Sequence, residues 1–425
     1  MKTTPFWTDD FPRPVDLPVS PLPERVDVAI VGGGYTGLSA ARTLAKGRAT
    51  VAVLEQREIG GGASSVNGGQ VAPGLKLNIR RAFKKYGPEM GRELWQASVA
   101  AVRYLEQMLA EEGIDCDYSG QGGIALACKP AHYRHMATEI EWMAHELDFH
   151  EMELVPAERI REEIGSTVFP GGLVEKMGGG LHPAKYVYGL ACAVARAGAK
   201  LVEHTEVHAI HRPAQGGDFE LTTSQGTLRA AEILLATNGY TGPLIPAIQR
   251  RVFPVGSYMI TTEPLAPELQ QELSPKNRVM YSTKWFLNYF RLTPDGRMSM
   301  GGRNNLSPDL DLVESARNLY ETMVHIFPQL RGFPVTHSWT GRLGITFDLM
   351  PHIGRVGGIY YAFGYGGHGV ALSGYLGKEA AELISGRISR SPFADIPHQT
   401  HFFYRGTPWF LPLAAAYYRF LDAVS

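Results

Sequence analysis

The segment from Val28 to Glu55 constrains this chain more than any other. An apolar run, Val28-Ala29-Ile30-Val31, leads into Gly32, Gly34 and Gly37 at G-x-G-x-x-G spacing. An Ala-rich run follows to Lys46, with Gly47 as its stop, then the apolar run Ala49-Thr50-Val51-Ala52-Val53-Leu54 and the acid Glu55. That order predicts strand, helix, strand. Gly32 permits a tight strand-to-helix turn, Gly34 lets a pyrophosphate approach the backbone, and Gly37 lets the helix lie close to the sheet. The helix N-terminus offers unpaired N–H groups to phosphates. Glu55, ending the second strand, is placed to accept hydrogen bonds from a ribose diol. A structural glycine turn does not explain that acid, so the segment predicts a dinucleotide site.

At 425 residues the chain has room for two or three domains or one interleaved fold. A net charge of −1 favours neither nucleic acid nor an anionic membrane. Cys116, Cys128 and Cys192 are an odd set without ligand spacing, which argues against a disulfide framework or zinc site and fits a reducing compartment. The first residues carry no apolar signal core and no run is long enough to span a bilayer, so the expected location is the cytoplasm. His132, His135, His145 and His150 lack a third ligand at known spacing, so no metal site is expected.

Taken in order, residues 1–25 are proline-rich and predict an extended arm anchored by Trp7 and Phe11. The chain then divides into a nucleotide-binding unit (26–80, 181–250 and 336–395) and a second unit (81–180 and 251–335), with a tail at 396–425. Residues 60–70 are too glycine-rich for a regular element and predict a contact loop. Helices are expected at Pro88–Glu112 and Pro130–Leu147, with a short acidic helix from Pro156 to Gly165. A further helix starts at Pro183 and ends near Gly198. Strands are expected at Gly123–Cys128, Lys200–Glu203, Val207–His211, Phe219–Thr223, Thr227–Arg229 and Glu232–Ala236. The second unit adds Val255–Thr262, Arg278–Ser282, Asn288–Leu292 and Arg297–Gly301, then a helix over Leu312–Phe327. The helix over Val370–Ile384 follows a second glycine-rich turn and offers a second anion-binding N-terminus. The aromatic tail, with Trp409, Tyr417 and Tyr418, could form a membrane-surface helix, but its few basic residues favour packing on the protein, with peripheral membrane contact left open.

The motifs Gly32-Gly33-Gly34-Tyr35-Thr36-Gly37, Gly62-Ala63-Ser64-Ser65-Val66-Asn67-Gly68-Gly69-Gln70, Ala236-Thr237-Asn238-Gly239-Tyr240 and Gly364-Tyr365-Gly366-Gly367-His368-Gly369-Val370 resemble those of the flavin-dependent amino acid and amine oxidases of the D-amino-acid-oxidase fold. Within that group the chain is most similar to bacterial gamma-glutamylputrescine oxidases, over nearly its whole length. The resemblance implies an α/β (α+β overall) fold: a Rossmann-like FAD-binding domain interleaved with a mixed-sheet substrate domain, of the D-amino-acid-oxidase/glutathione-reductase-like type. It implies FAD rather than NAD, bound non-covalently, because the positions that carry a linking His or Cys in some members fall at Val66 or Asn67 and near Gly341. The cofactor residues it implies are Gly32, Gly34, Tyr35, Thr36, Gly37, Glu55, Gln56, Gly62, Ala63, Ser64, Ser65, Asn67, Gly68, Gly69, Gln70, Val207, Thr237, Asn238, Gly239, Gly341, Gly366, Gly367, His368, Gly369 and Val370.

The implied reaction is oxidation of a C–N bond in a small-molecule amine or amino acid, with hydride passing to flavin N5 and the imine then hydrolysed. A gamma-glutamyl-polyamine substrate leads. An amino acid dehydrogenase passing electrons to an acceptor other than oxygen is the alternative, because the strand on which related oxidases carry an oxygen-activating Lys reads Met298-Ser299-Met300 here; Lys284 is a possible replacement. Candidate catalytic residues are His368, Tyr258 and Trp285. Candidate substrate-binding residues are Tyr289, Arg303, Trp339 and Arg342, the aromatics to wall the site and attract a cationic amine and the arginines to pair with a carboxylate.

Overall fold

The computed structural model describes residues 1–424 except 214–215, 303–305 and 308. The arm carries α1 (Phe6–Asp10). It is followed by β1 (Arg25–Val31), α2 (Tyr35–Lys46), β2 (Val51–Leu54) and β3 (Gln70–Val71). Next come α3 (Ile79–Tyr86), α4 (Pro88–Glu112), β4 (Gly123–Leu126), α5 (Pro130–Leu147), β5 (Met152–Pro156), β6 (Gly171–Glu175) and β7 (Gly179–Gly180). The chain continues through α6 (Pro183–Arg196), β8 (Lys200–Val202), β9 (Val207–His211), β10 (Phe219–Thr223), β11 (Gly226–Leu235) and α7 (Pro246–Gln249). Then follow β12 (Phe253–Pro264), α8 (Pro267–Leu273), β13 (Val279–Ser282), β14 (Asn288–Leu292), β15 (Arg297–Gly302) and α9 (Leu312–Ile326). The last elements are β16 (Val335–Ile345), β17 (His352–Val356), β18 (Ile359–Phe363), α10 (Gly369–Ile384), α11 (Pro392–Asp395) and α12 (Leu411–Val424).

Two large sheets share these strands. The first runs β17-β18-β11-β1-β2-β8, with the β9–β10 hairpin attached to β11. Its central pairs, β11–β1, β1–β2 and β2–β8, are parallel. Their near-continuous apolar runs follow from burial on both faces. Val28, Ile30, Val51 and Val53 face a core shared with α2, α4, α6 and α10. Ala29, Val31, Ala52 and Leu54 face the other side, with the hairpin and Ile248. The second sheet runs β16-β12-β15-β14-β13-β4-β6-β5 and packs Ile260, Phe290, Met298 and Met300 against Leu319 and Met323 of α9.

Several boundaries differ from the sequence reading. β16 hydrogen-bonds to β12 along its length, so residues 335–345 join the second sheet rather than the nucleotide-binding unit. The apolar stripe of α4 packs against α10 and the first sheet's core, so this helix belongs with the nucleotide-binding unit. Residues 152–156 form a strand, and only the single turn Ile160–Glu162 is helical after it. Residues 226–235 form one strand rather than two. α3 was not anticipated: it is only eight residues long, with Ile79, Ala82, Phe83 and Tyr86 on one face and four basic residues between them. The arm is not wholly extended. α1 places Trp7 in the interior, fully buried, edge-on to His182 at 4.9 Å and beneath the Arg291 guanidinium at 5.1 Å. Asp9 and Asp10 accept hydrogen bonds from His337 on β16 and from His182 ahead of α6 at 3.1 and 3.2 Å, tying both units to the arm. Among the described residues no helix is long and apolar enough to cross a membrane.

Trp7→Ala is expected to lower stability by about 3–5 kcal/mol, the usual cost of emptying a buried aromatic site, read as a fall in the denaturation midpoint. Burial pushes the Glu175 carboxyl up to about 7, against the opposing effect of a hydrogen bond with Tyr281. A carboxyl raised in the folded state costs stability once the unfolded chain ionises. Stability therefore falls from about pH 4.5 to about 7 and the loss persists above. Glu175→Gln is expected to raise the thermal midpoint at pH 8 and leave it unchanged at pH 4.

Candidate active site

A cleft of about 390 Å³ opens where the first sheet's strands end, lined by the turns after β1, β2, β11 and β18. Its floor is the G-x-G-x-x-G turn. Gly32 has φ +111°, and a Cβ there would lie 2.8 Å from the Ala236 carbonyl oxygen. A Cβ on Gly37 would lie 2.0 Å from the Gly32 carbonyl oxygen, so only glycine lets α2 start this close to β1. α2 begins without a side-chain cap on its N-cap residue Gly34. The Tyr35 N–H donates instead to Ser64 Oγ across the cleft at 3.0 Å. Glu55 accepts from the N–H groups of Gly33 and Arg57 at 2.8 and 3.0 Å, one bond to each oxygen. Each oxygen retains acceptor capacity for a diol.

A second helix N-terminus meets the first. β18 runs into Gly364–His368 and then α10, whose N-cap His368 makes no side-chain capping bond. Gly366 has φ +62° and lies against Lys76, whose Cβ would be 2.6 Å from any added Cβ. Tyr365 Oη and Thr36 Oγ1 share a hydrogen bond of 2.7 Å that joins the two turns. A Cβ on Gly377 would lie 2.3 Å from the Thr36 carbonyl oxygen, and Ser39 Oγ donates to the Gly374 carbonyl at 2.6 Å. Asn238 Oδ1 accepts from the Gly364 N–H at 3.0 Å, anchoring the same turn to the end of β11.

The predicted contact loop is held from within. Asn67 Nδ2 donates to the carbonyls of Ala63 and Ser64 at 3.0 and 2.9 Å, its Oδ1 accepts from the Gly69 N–H at 2.8 Å, and Ser65 Oγ donates to the Gly60 carbonyl at 2.8 Å. Gln70 Nε2 reaches the β13 and β14 carbonyls of Met280 and Phe290 at 3.4 Å. The loop is therefore the seam between the two sheets.

Of the predicted cofactor residues, the cleft wall contains Gly32, Gly34–Thr36, Glu55–Gln56, Gly62–Ser64, Asn67, Val207, Thr237–Asn238, Gly366–Gly367 and Gly369–Val370. Gly37 and Gly239 lie behind it, at close backbone approaches. Ser65, Gly68, Gly69, Gln70, Gly341 and His368 stand outside the wall. Of these, Gly68 touches the Tyr289 ring, Gly341 lies beside Val66, and His368 lies beside Gly74. Thr205, Glu206 and residues 241–245 also line the cleft and were missed. The Gly242-Pro243 pair was the available signal, since it breaks the chain just after the Asn238 turn.

The substrate candidates separate. Tyr289 abuts Gly68 and shares a 2.9 Å hydrogen bond with Ser257. Trp339 is 1% exposed and its Nε1 donates to the Val66 carbonyl at 2.8 Å, so both rings border the contact loop. Tyr258 does not reach the cleft. Its ring is fully buried in the second sheet's core, and its hydroxyl donates to the Ser307 carbonyl and accepts from the Leu310 N–H, both at 2.8 Å. Trp285 is 42% exposed on an outer loop and stacks on Tyr418 of α12, because alternation along β13 ends before it. Arg342 lines the cofactor cleft, paired with Asp309 at 3.2 Å and set near the Tyr240 ring. Arg303 lies outside the described residues.

Residues 27–383 match the family model described as DAO, FAD dependent oxidoreductase. This chain belongs to that family. The flavoenzyme is 34% identical over 404 residues to the gamma-glutamylputrescine oxidoreductase of Escherichia coli (strain K12), covering 93% of this chain and 92% of the relative. It is 33% identical over 376 residues to the probable oxidoreductase OrdL of Rhizobium meliloti (strain 1021), covering 88% and 86%. The crystal structure of glycine oxidase from Geobacillus kaustophilus superposes with a TM-score of 0.75 at 23% identity, over 89% of this chain and all of that one, which establishes the shared fold. The enzyme is an FAD-dependent oxidoreductase, and its cleft fits the cofactor: two helix N-termini whose N-cap residues make no side-chain capping bond, an acid at the end of β2 and glycines where any Cβ would collide. Glu55→Ala is expected to weaken FAD binding by about 1.5–3 kcal/mol, tenfold or more, in a fluorescence titration of the apoprotein.

Proposed function

We propose that this flavoenzyme oxidises the C–N bond of an amine or amino acid in the cytoplasm, with gamma-glutamyl polyamines as the foremost substrate class. The observation that carries this is the 34% identity to gamma-glutamylputrescine oxidoreductase across 93% of the chain. Bound FAD supplies the hydride acceptor. The N–H groups and positive ends of α2 and α10 hold the cofactor's anionic groups. Tyr289 walls the space beside Gly68, attracts an ammonium group through its ring face and keeps water from the reacting carbon, while the buried Trp339 holds the contact loop from behind through the Val66 carbonyl. His368 orients the turn at the start of α10. Retention of FAD is non-covalent on this reading, since Val66 and Gly341 face each other and neither offers a nucleophile.

The second reading is an amino acid dehydrogenase using an acceptor other than oxygen. Met298 and Met300 point into the α9 core and Lys284 lies on an exposed loop, so neither β15 nor Lys284 brings a lysine to the cleft. Anaerobic mixing with gamma-glutamyl amines and with amino acids distinguishes the two. Bleaching of the visible flavin band by gamma-glutamyl amines, with recolouring in air, is the expected result. Bleaching by amino acids alone, with no recolouring in air, would replace the first reading with the second. No bleaching by either class would remove both.

A further inference from the structure

Away from the cleft, a group of exposed aromatic and aliphatic side chains gathers on the C-terminal segment. Phe402, Trp409, Leu413, Tyr417 and Phe420 are each at least 59% exposed. Leu413, Tyr417 and Phe420 follow at steps of four and three, which places them in one row along α12, with Trp409 just ahead of it. The opposite face of α12 is already used. Leu411 and Ala415 are buried, Tyr418 stacks on Trp285 at 5.7 Å, and the Asp422 carboxylate accepts from the Trp285 and Phe286 N–H groups at 2.8 and 3.0 Å. The helix is therefore apolar on two sides, one on the protein and one outward.

Trp285, stacked on this helix through Tyr418, links it to a basic surface. α3 carries Arg80, Arg81, Lys84 and Lys85 and no acid. The Arg81 guanidinium lies over the Trp285 ring at 5.9 Å, and that of Arg419 lies over Phe286 at 5.6 Å. Lys284, next to Trp285 in the chain, is exposed. From residue 396 to 424 the sole acid is Asp422, occupied by the two backbone N–H groups. A chain of net charge −1 thus borders this exposed aromatic row with cations.

We propose that this face docks on the surface of an anionic phospholipid bilayer. The aromatic row enters the boundary between headgroups and acyl chains, and the basic border pairs with lipid phosphates. A second copy of the chain is the poorer partner, because apposing two such faces brings like charges together without acids to answer them.

The test is co-sedimentation of the full-length FAD-loaded protein with phosphatidylcholine vesicles, with and without added phosphatidylglycerol. The expected result is binding to the anionic vesicles, weaker by about tenfold on the neutral ones and falling with salt. Leu413→Glu, Tyr417→Glu and Phe420→Glu together are expected to reduce binding by about tenfold or more, and Lys84→Glu with Lys85→Glu to abolish the anionic preference. Should the triple variant fail to fold, quenching of wild-type tryptophan emission by bromine-labelled lipid decides instead: quenching supports insertion and its absence overturns it. Wild-type protein left in the supernatant with anionic vesicles, or folded variants that bind as well as wild type, would also overturn the proposal. So would a concentration-dependent dimer that the triple variant dissolves without any vesicle binding.

Discussion

The close crossing of α2 and α10 is the contact on which the site depends. At Gly377 and Gly374 one helix has no side chain, so its backbone lies against Thr36 and Ser39 of the other. That approach fixes the separation of two helix N-termini drawn from opposite ends of the chain. The Thr36–Tyr365 hydrogen bond then sets their rotation. A cofactor with phosphates at one end and a ring system at the other needs both termini at a fixed spacing, and backbone contact holds that spacing more rigidly than interleaved side chains.

The second sheet meets this frame along the contact loop. Gln70 reaches into it, and Arg291 Nη2 donates to the Leu181 carbonyl at 2.6 Å while the Leu181 N–H donates to the Gly69 carbonyl at 2.8 Å. Trp7 lies under that same arginine. The arm thus supports the loop from behind, and aromatic packing far from the cleft holds the glycines that border the substrate space.

What the sequence revealed was local. The G-x-G-x-x-G turn, Glu55 and the turn before α10 were legible because the steric demand and its solution lie within a few residues of each other. The cleft wall built from Thr205, Glu206 and residues 241–245 was not, since these positions meet only through the order of strands in the sheet. β16 was assigned to the wrong unit for the same reason: its alternation shows a strand but not its partner. Tyr258 and Trp285 show the limit from the side-chain end. Both are aromatics near the second sheet, yet one is fully buried and the other faces α12, and residue type does not distinguish these fates.

β1 lies in the centre of the first sheet, with Val28 opposite Val51 on one side and Glu232 on the other. During synthesis the β1–α2–β2 unit therefore emerges with both flanks open, and the whole of β3 to β7 must pass before β8 closes one and β11 the other. The last wall of the cleft, the turn before α10, comes later still. The nascent chain cannot complete its cofactor site until almost the entire polypeptide is made. Exposed strand edge during that interval is a liability for aggregation, and flavin supply then enters as mass action, drawing the finished chain toward the closed fold.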